Sequence, residues 1–222
     1  MSDALQKLTD MLGLGVSPPA MAAIIALLLY VVQSELRFGA KARAHRGGAS
    51  DRGSTLVLSL ASLLAVLGGV IVMKGRVPFL SSPIPAWLFW PGNIPGMAAV
   101  AWAGVAASFA GLLLRLWAVL TLRKRYTRTL LIQDDHGLER KGPYRLVRHP
   151  GYLGSLLCLN GFALASGSAA VTVASLTATL WAYAYRIRSE DAMLVNAFGE
   201  DYETYRREVR ALLPFIRPSA DR

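Results

Sequence analysis

The feature that most constrains this chain is where its charges are missing. Residues 11–33, 54–73, 96–122 and 149–185 carry a single Lys, Arg, Asp or Glu among them, Arg115. Uninterrupted apolar runs of about 20 residues are what a helix needs to cross a bilayer. Composition agrees: charged residues make up 17% of the 222, where soluble chains carry about a quarter. The apolar content excludes disorder. The single cysteine, Cys158, excludes a disulfide framework and any Cys-rich metal site. A net charge of +10 would suggest nucleic acid in a soluble protein. Here five Lys and Arg fall in residues 34–54, eight in 122–149 and seven in 186–222. The charge therefore reads as topology, and no nucleic-acid or metal partner is expected.

The spans follow from the gaps. The first covers roughly Met11–Gln33, with Pro18-Pro19 opening its regular helix at Ala20. The second is Ser54–Met73 and the third Gly96–Leu122. Gly151–Ala165 and Ser168–Tyr185 are joined only by Ser166-Gly167. At 1.5 Å per residue each reaches roughly 23–27 Å, short of the ~30 Å hydrocarbon core. They read as a tight helical hairpin dipping into the membrane. Placing the three basic segments on one side puts the N-terminus outside and the C-terminus in the cytoplasm. The first span lacks a basic leader and a small-x-small cleavage site, so it reads as retained. The expected fold is an all-α integral membrane protein of about five membrane helices, three full spans plus the hairpin, with a cytosolic amphipathic helix at the C-terminus. It forms one domain over 1–222, with membrane helices in 1–95 and the chemistry in 96–222. Its Ala- and Arg-rich composition suggests a GC-rich bacterial source and hence the inner membrane.

Two cytoplasmic stretches carry the information. The first, His136–Gly154, contains Arg148-His149-Pro150-Gly151-Tyr152 immediately before the hairpin. Pro150 bars a helix through this point and suits the first turn of the next one. Gly142-Pro143 makes a turn upstream. The result is an irregular loop at the membrane surface presenting Tyr144, Tyr152, an imidazole and a guanidinium, and its backbone must be satisfied by protein, water or ligand. Lys141 and Arg145 read as headgroup anchors. The second stretch, Arg186–Phe215, opens with Arg186 and Glu190 one helical turn apart, spaced for pairing. Phe198, Tyr202, Tyr205, Val209 and Leu212 then recur with helical period, predicting an amphipathic helix that serves as an anchor or a lid.

Taken together, His136-Gly137-Leu138, Gly142-Pro143-Tyr144, Arg148 to Gly154, Arg186 with Glu190, Phe198 to Tyr205 and Leu213-Pro214-Phe215 resemble the isoprenylcysteine carboxyl methyltransferase family, whose wider relatives include phospholipid methyltransferases. The resemblance covers roughly Gly111 to Phe215. It implies a membrane enzyme that takes a methyl group from S-adenosylmethionine in a cytosolic pocket, with a lipophilic or lipidated substrate entering from the bilayer. Carried over by position, His136, Gly137, Leu138, Glu139, Tyr144, His149, Pro150, Gly151 and Tyr152 would surround the cofactor. Glu190 would contact it as well, and Arg186 would face the substrate. A cofactor-binding Gln upstream of the His136 step has no firm match, since Gln133 is wrongly spaced and Thr129 holds the ungapped position.

Methyl transfer from a sulfonium is an in-line displacement, in which positioning is most of the catalysis. A carboxylate acceptor is ionised at pH 7 and needs a guanidinium fork, from Arg186 or Arg148, to hold it in register. An amine acceptor must lose a proton and would call on Glu190 or His149. Arg186, Glu190 and Arg148 are thus the candidate catalytic residues. The leading acceptor is an isoprenylcysteine-like carboxylate. The alternatives are a phospholipid amine, or a non-catalytic lipid-binding or assembly protein on the same scaffold. Gly13-Leu14-Gly15 and Gly68-Gly69 lie in apolar spans, so no dinucleotide fingerprint is present. Arg115 either snorkels to the cytoplasmic surface or makes a polar contact inside the bundle. Cys158 reads as packing and His45 as a residue of a solvated basic loop.

Overall fold

A computed structural model describes residues 18–36, 54–73, 97–122 and 138–213. All regular structure among them is helical. Helix α1 is Pro18–Leu36, α2 Ser54–Met73 and α3 Met97–Leu122. A 3-10 turn at Gly142–Arg145 leads to α4 (Pro150–Ala165), α5 (Ala169–Phe198) and α6 (Glu200–Glu208). Helix α1 begins at Pro18 rather than at Ala20, because both prolines fit the first turn, where no amide need donate. Residues 98–122 of α3 are long and apolar enough to cross a membrane, and Pro18–Gln33, Leu56–Ile71 and Pro150–Ala165 are shorter apolar helices.

The outer faces are apolar and the interior holds the polar groups. Leu56, Leu60, Leu113, Val173 and Trp181 are each more than half exposed, a surface suited to lipid and costly in water. Inside lies an apolar cluster of Ala23, Leu27, Val105, Leu159, Phe162 and Ala165. Around it are buried Ser108, Arg115, Ser155, Ser175 and Thr179. The hairpin of α4 and α5 is pinned by a polar ladder. Asn160 donates to Thr179 Oγ1 at 3.0 Å and accepts from Ser175 Oγ at 2.9 Å. Ser168 caps α5 by accepting from the Val171 amide.

The most extensive helix contact is α3 against α4, and glycine is what permits it. Gly111 faces Gly154, and Gly104 faces Gly161, one heptad further along each helix. A Cβ built on Gly111 would lie 2.4 Å from the Gly154 carbonyl oxygen, and one on Gly161 would lie 2.5 Å from the Gly104 carbonyl oxygen. The two backbones touch at both points, the small-residue packing that replaces the hydrophobic effect between helices in lipid.

Two expectations are corrected at the C-terminal end. The segment expected to stop at Tyr185 continues as the 30-residue α5 to Phe198, because no helix breaker intervenes before Gly199. At 1.5 Å per residue that helix is about 45 Å long, so its second half carries Arg186, Glu190 and Asp191 away from the Ser166-Gly167 turn and back to the start of α4. The amphipathic helix expected over Phe198–Leu212 is only Glu200–Glu208. Gly199 adopts φ 54, a left-handed conformation that breaks the helix, and Val209 is extended.

Candidate active site

The loop between the 3-10 turn and α4 is held by backbone pairing with the end of the described chain. The Arg148 amide donates to the Arg210 carbonyl at 2.7 Å, and the His149 amide donates to the Ala211 carbonyl at 3.0 Å. His149 is the N-cap of α4 and Pro150 its first residue. The proline thus starts the helix directly after the imidazole and fixes where the ring emerges. That ring is 4% exposed. It stacks on Tyr152 with centroids 5.4 Å apart and planes 10° apart. Tyr152 packs in turn against Tyr183 at 5.3 Å.

Successive residues of α5 then bracket the imidazole. Asp191 Oδ1 lies 2.9 Å from Nε2 of His149, and Glu190 Oε2 lies 3.6 Å from Nδ1. Neighbours on a helix diverge by about 100°, which lets two adjacent carboxylates reach opposite edges of one ring. The 3.6 Å contact is electrostatic and too long for a hydrogen bond. Glu190 Oε2 is buried and without a hydrogen-bond partner, the kind of orphaned acceptor that marks a binding position. One turn earlier, Arg186 is 3% exposed and its Nε donates to the Tyr152 hydroxyl at 3.1 Å.

Arg148 occupies a different place from the one its motif suggests. Its Nη1 donates to the carbonyls of Val209 at 2.6 Å and Arg206 at 3.1 Å. Its Nη2 pairs with Asp191 Oδ2 at 2.9 Å. Arg148 therefore caps the C-terminus of α6, where helix carbonyls lack intrahelical donors. Asp191 also accepts from the Tyr202 hydroxyl at 2.5 Å. Burial would raise the Asp191 carboxyl, but hydrogen bonding and charge from His149, with Tyr202 and Arg148, outweigh it and hold the group at about 2. Burial and the Asp191 charge push the Tyr202 phenol well up. Tyr205 donates to the Tyr144 carbonyl at 2.6 Å and, buried beside it, is pushed up to about 12.

A second polar centre lies one turn into α4. Arg115 Nη1 donates to Ser155 Oγ at 2.8 Å and to the Gly151 carbonyl at 3.4 Å. The guanidinium sits over the Tyr30 ring, 5.0 Å from its centroid, and the Tyr30 hydroxyl donates to Ser155 Oγ at 3.2 Å. Arg115 therefore makes polar contacts inside the bundle at 7% exposure, and the snorkelling alternative falls away. Cys158 is fully buried against the α3 seam, as expected of a packing residue.

Of the residues expected at the site, His149, Pro150, Gly151, Tyr152, Arg186 and Glu190 converge. Leu138 and Glu139 are half-buried, and Glu139 accepts from the Lys141 amide at 3.1 Å. The Tyr144 backbone is tied to α6 through Tyr205. His136, Gly137, His45, Pro214 and Phe215 lie outside the described residues. Asp191, Tyr30 and Ser155 were not singled out in the sequence. The only signal for Asp191 was its place directly after Glu190.

The model of the isoprenylcysteine carboxyl methyltransferase family matches residues 104–196. A probable protein-S-isoprenylcysteine O-methyltransferase of Oryza sativa subsp. indica is 37% identical over 120 residues, 53% of this chain and 62% of that protein. Protein-S-isoprenylcysteine O-methyltransferase B of Arabidopsis thaliana is 26% identical over 165 residues, covering 73% and 78%. The cobalt-zinc-cadmium resistance protein CzcN of Cupriavidus metallidurans is 33% identical over 127 residues, covering 56% and 53%. This chain thus spans less than two thirds of the rice protein's length. The solved structure of a eukaryotic intramembrane Ras methyltransferase shares the fold, with a TM-score of 0.56 at 19% identity over 90% of this chain and 69% of that one. Over residues 104–196, the stretch that holds the glycine seam, His149 and Glu190, this chain is similar to the isoprenylcysteine carboxyl methyltransferase family.

Proposed function

We propose that the chain is an integral-membrane methyltransferase that transfers a methyl group from S-adenosylmethionine to the carboxylate of an isoprenylcysteine-like acceptor. The observation that carries the reading is the meeting of His149, Tyr152, Arg186 and Glu190 where α4 begins, with Glu190 Oε2 buried and lacking a hydrogen-bond partner. These groups fit the cofactor. The carboxylate offsets a sulfonium or accepts from a ribose hydroxyl, and the aromatic faces suit a cation or an adenine ring. When bound, the cofactor supplies a methyl carbon ready for displacement.

The chain's own residues do the positioning. Arg186, anchored through Nε by Tyr152, is the guanidinium for the acceptor carboxylate. Arg148 donates instead to carbonyls at the end of α6, which favours Arg186 for that role. A carboxylate acceptor is already ionised, so no proton moves; a C–O bond forms as the methyl–sulfur bond breaks. Burial of the site beside apolar outer faces suits a lipidated substrate arriving through the bilayer. In this reading the chain makes three full spans plus the hairpin in a bacterial inner membrane, with the N-terminus outside.

Calorimetry on detergent-solubilised protein tests the reading, with binding of S-adenosylmethionine or S-adenosylhomocysteine expected. Absence of binding overturns it. Labelled cofactor supplied with farnesylcysteine analogues or with phosphatidylethanolamine then tests the acceptor. Label found only in the lipid amine moves the assignment to phospholipid N-methylation.

A further inference from the structure

We propose that Asp191 is the positioning residue of this site: its carboxylate fixes the tautomer and orientation of His149 and, through Tyr202 and Arg148, makes both depend on docking of α6. Its effect on rate rests on the methyltransferase reading, whereas its effect on His149 rests on geometry alone.

Three donors meet on one carboxylate. Oδ1 receives the Tyr202 hydroxyl and faces Nε2 of His149, while Oδ2 receives Arg148 Nη2. An ionised carboxylate only accepts, so Nε2 must carry the proton and donate it. In the neutral ring Nδ1 is then the unprotonated nitrogen, and it meets an opposite charge, Glu190 Oε2 at 3.6 Å, when the ring is protonated. Rotation is blocked on the ring's face by the stacked Tyr152. The backbone of the same residue is held by Ala211. His149 is thus gripped twice by the C-terminal segment, once directly and once through Asp191. Arg148 belongs to the same device, since its fork bridges Asp191 to the carbonyls that close α6. If α6 leaves, Asp191 loses Tyr202, Arg148 loses its carbonyl partners, and the imidazole loses its support. The arrangement follows the logic of triads in which a buried carboxylate selects a histidine tautomer without reacting itself.

The test uses the full chain in detergent, labelled with nitrogen-15 at histidine and free of cofactor. There are three histidines, His45, His136 and His149, and His149→Gln assigns the signal. Neutral His149 is expected in the Nε2–H tautomer. Asp191→Asn, whose amide can donate, is expected to move it to Nδ1–H and to lower kcat about 10–100-fold, the usual effect of losing an orienting partner, with a smaller change in KM. A wild-type Nδ1–H tautomer, or an Asp191→Asn variant with unchanged tautomer and rate, overturns the proposal. Should that variant fail to fold, Tyr202→Phe carries the test. Faster amide exchange over residues 200–208 together with a lower kcat supports the coupling, and no change in either refutes it. Loss of cofactor binding by the wild-type protein would sink the methyltransferase reading while leaving the tautomer result intact.

Discussion

Adding one methyl group at Gly111 should do more damage than its size suggests. The new Cβ of Gly111→Ala would lie 2.4 Å from the Gly154 carbonyl oxygen and 2.6 Å from the Cys158 amide nitrogen, where ordinary contact begins at 3.4 Å. The shortfall is about 1 Å, and both obstacles are backbone, so no side chain can swing aside and α3 must part from α4. Overpacking of this kind costs about 1–3 kcal/mol, against a helix-propensity gain of at most ~1 kcal/mol from replacing Gly by Ala. The same 1 Å lands on the Arg115 bonds to Ser155 and Gly151, at 2.8 and 3.4 Å. It carries both past hydrogen-bond range. A displacement of this size at a positioned site costs roughly 100-fold in rate. The measurement is thermal denaturation in detergent with turnover under saturating cofactor. The control is Gly68→Ala on α2, whose Cβ would meet Val171 Cγ1 at 3.4 Å. Gly68→Ala should match or exceed wild-type stability, while Gly111→Ala should melt several degrees lower and turn over far more slowly. Equal behaviour of the two variants would refute the reasoning that the α3–α4 seam is set by backbone contact.

Three further outcomes follow from the polar contacts. Arg115→Met should lower stability by about 1.5–3 kcal/mol through lost charged hydrogen bonds; a double-mutant cycle with Tyr30→Leu should be non-additive, because the two side chains touch. Docking of α6 should weaken in acid. The Asp191 carboxyl sits at about 2 against an ordinary 3.8, so the undocked group takes up protons first, and docking strength is full above about pH 4 and lost as pH falls through about 2. His149 lowers this carboxyl more than Tyr202 does, so α6 receives only part of the roughly 2 kcal/mol that the shift represents; the readout is faster amide exchange over residues 200–208, and exchange that is flat across this window would contradict it. Finally, Arg186→Ala should cut turnover with little effect on cofactor affinity, whereas Glu190→Gln should weaken cofactor binding measured by calorimetry.

The apolar helices were legible because a long charge-free run can bury its backbone polar groups only as a helix. Ser54–Met73 appears with the boundaries the sequence suggested, and α3 differs by one residue. Pro150 marked the start of α4 for an equally local reason. The length of α5 was misjudged because charge marks where lipid ends, and a helix does not stop there. The hydrophobic period running from Phe198 to Leu212 likewise hid the break at Gly199, a backbone event that side-chain spacing does not record. His149, Tyr152, Arg186 and Glu190 stood out through motif spacing, and they do converge. Asp191 did not, since an acid beside another acid on a solvated helix looks like surface charge until its partners from the loop and α6 are known. Arg148 was read by its motif neighbours, but its guanidinium answers to the carbonyls of a segment some 60 residues later, a relation no local pattern contains.

The place of Tyr30 has a consequence of another kind. Arg115 and Ser155 belong to the stretch shared with the family, whereas the ring covering that guanidinium comes from α1, well upstream of it. The buried polar centre is therefore assembled across the edge of the family match, with Arg115 and Ser155 inside residues 104–196 and Tyr30 outside them. Replacing α1 would strip the ring from Arg115 while leaving the contacts of His149 with Asp191 and Glu190 in place.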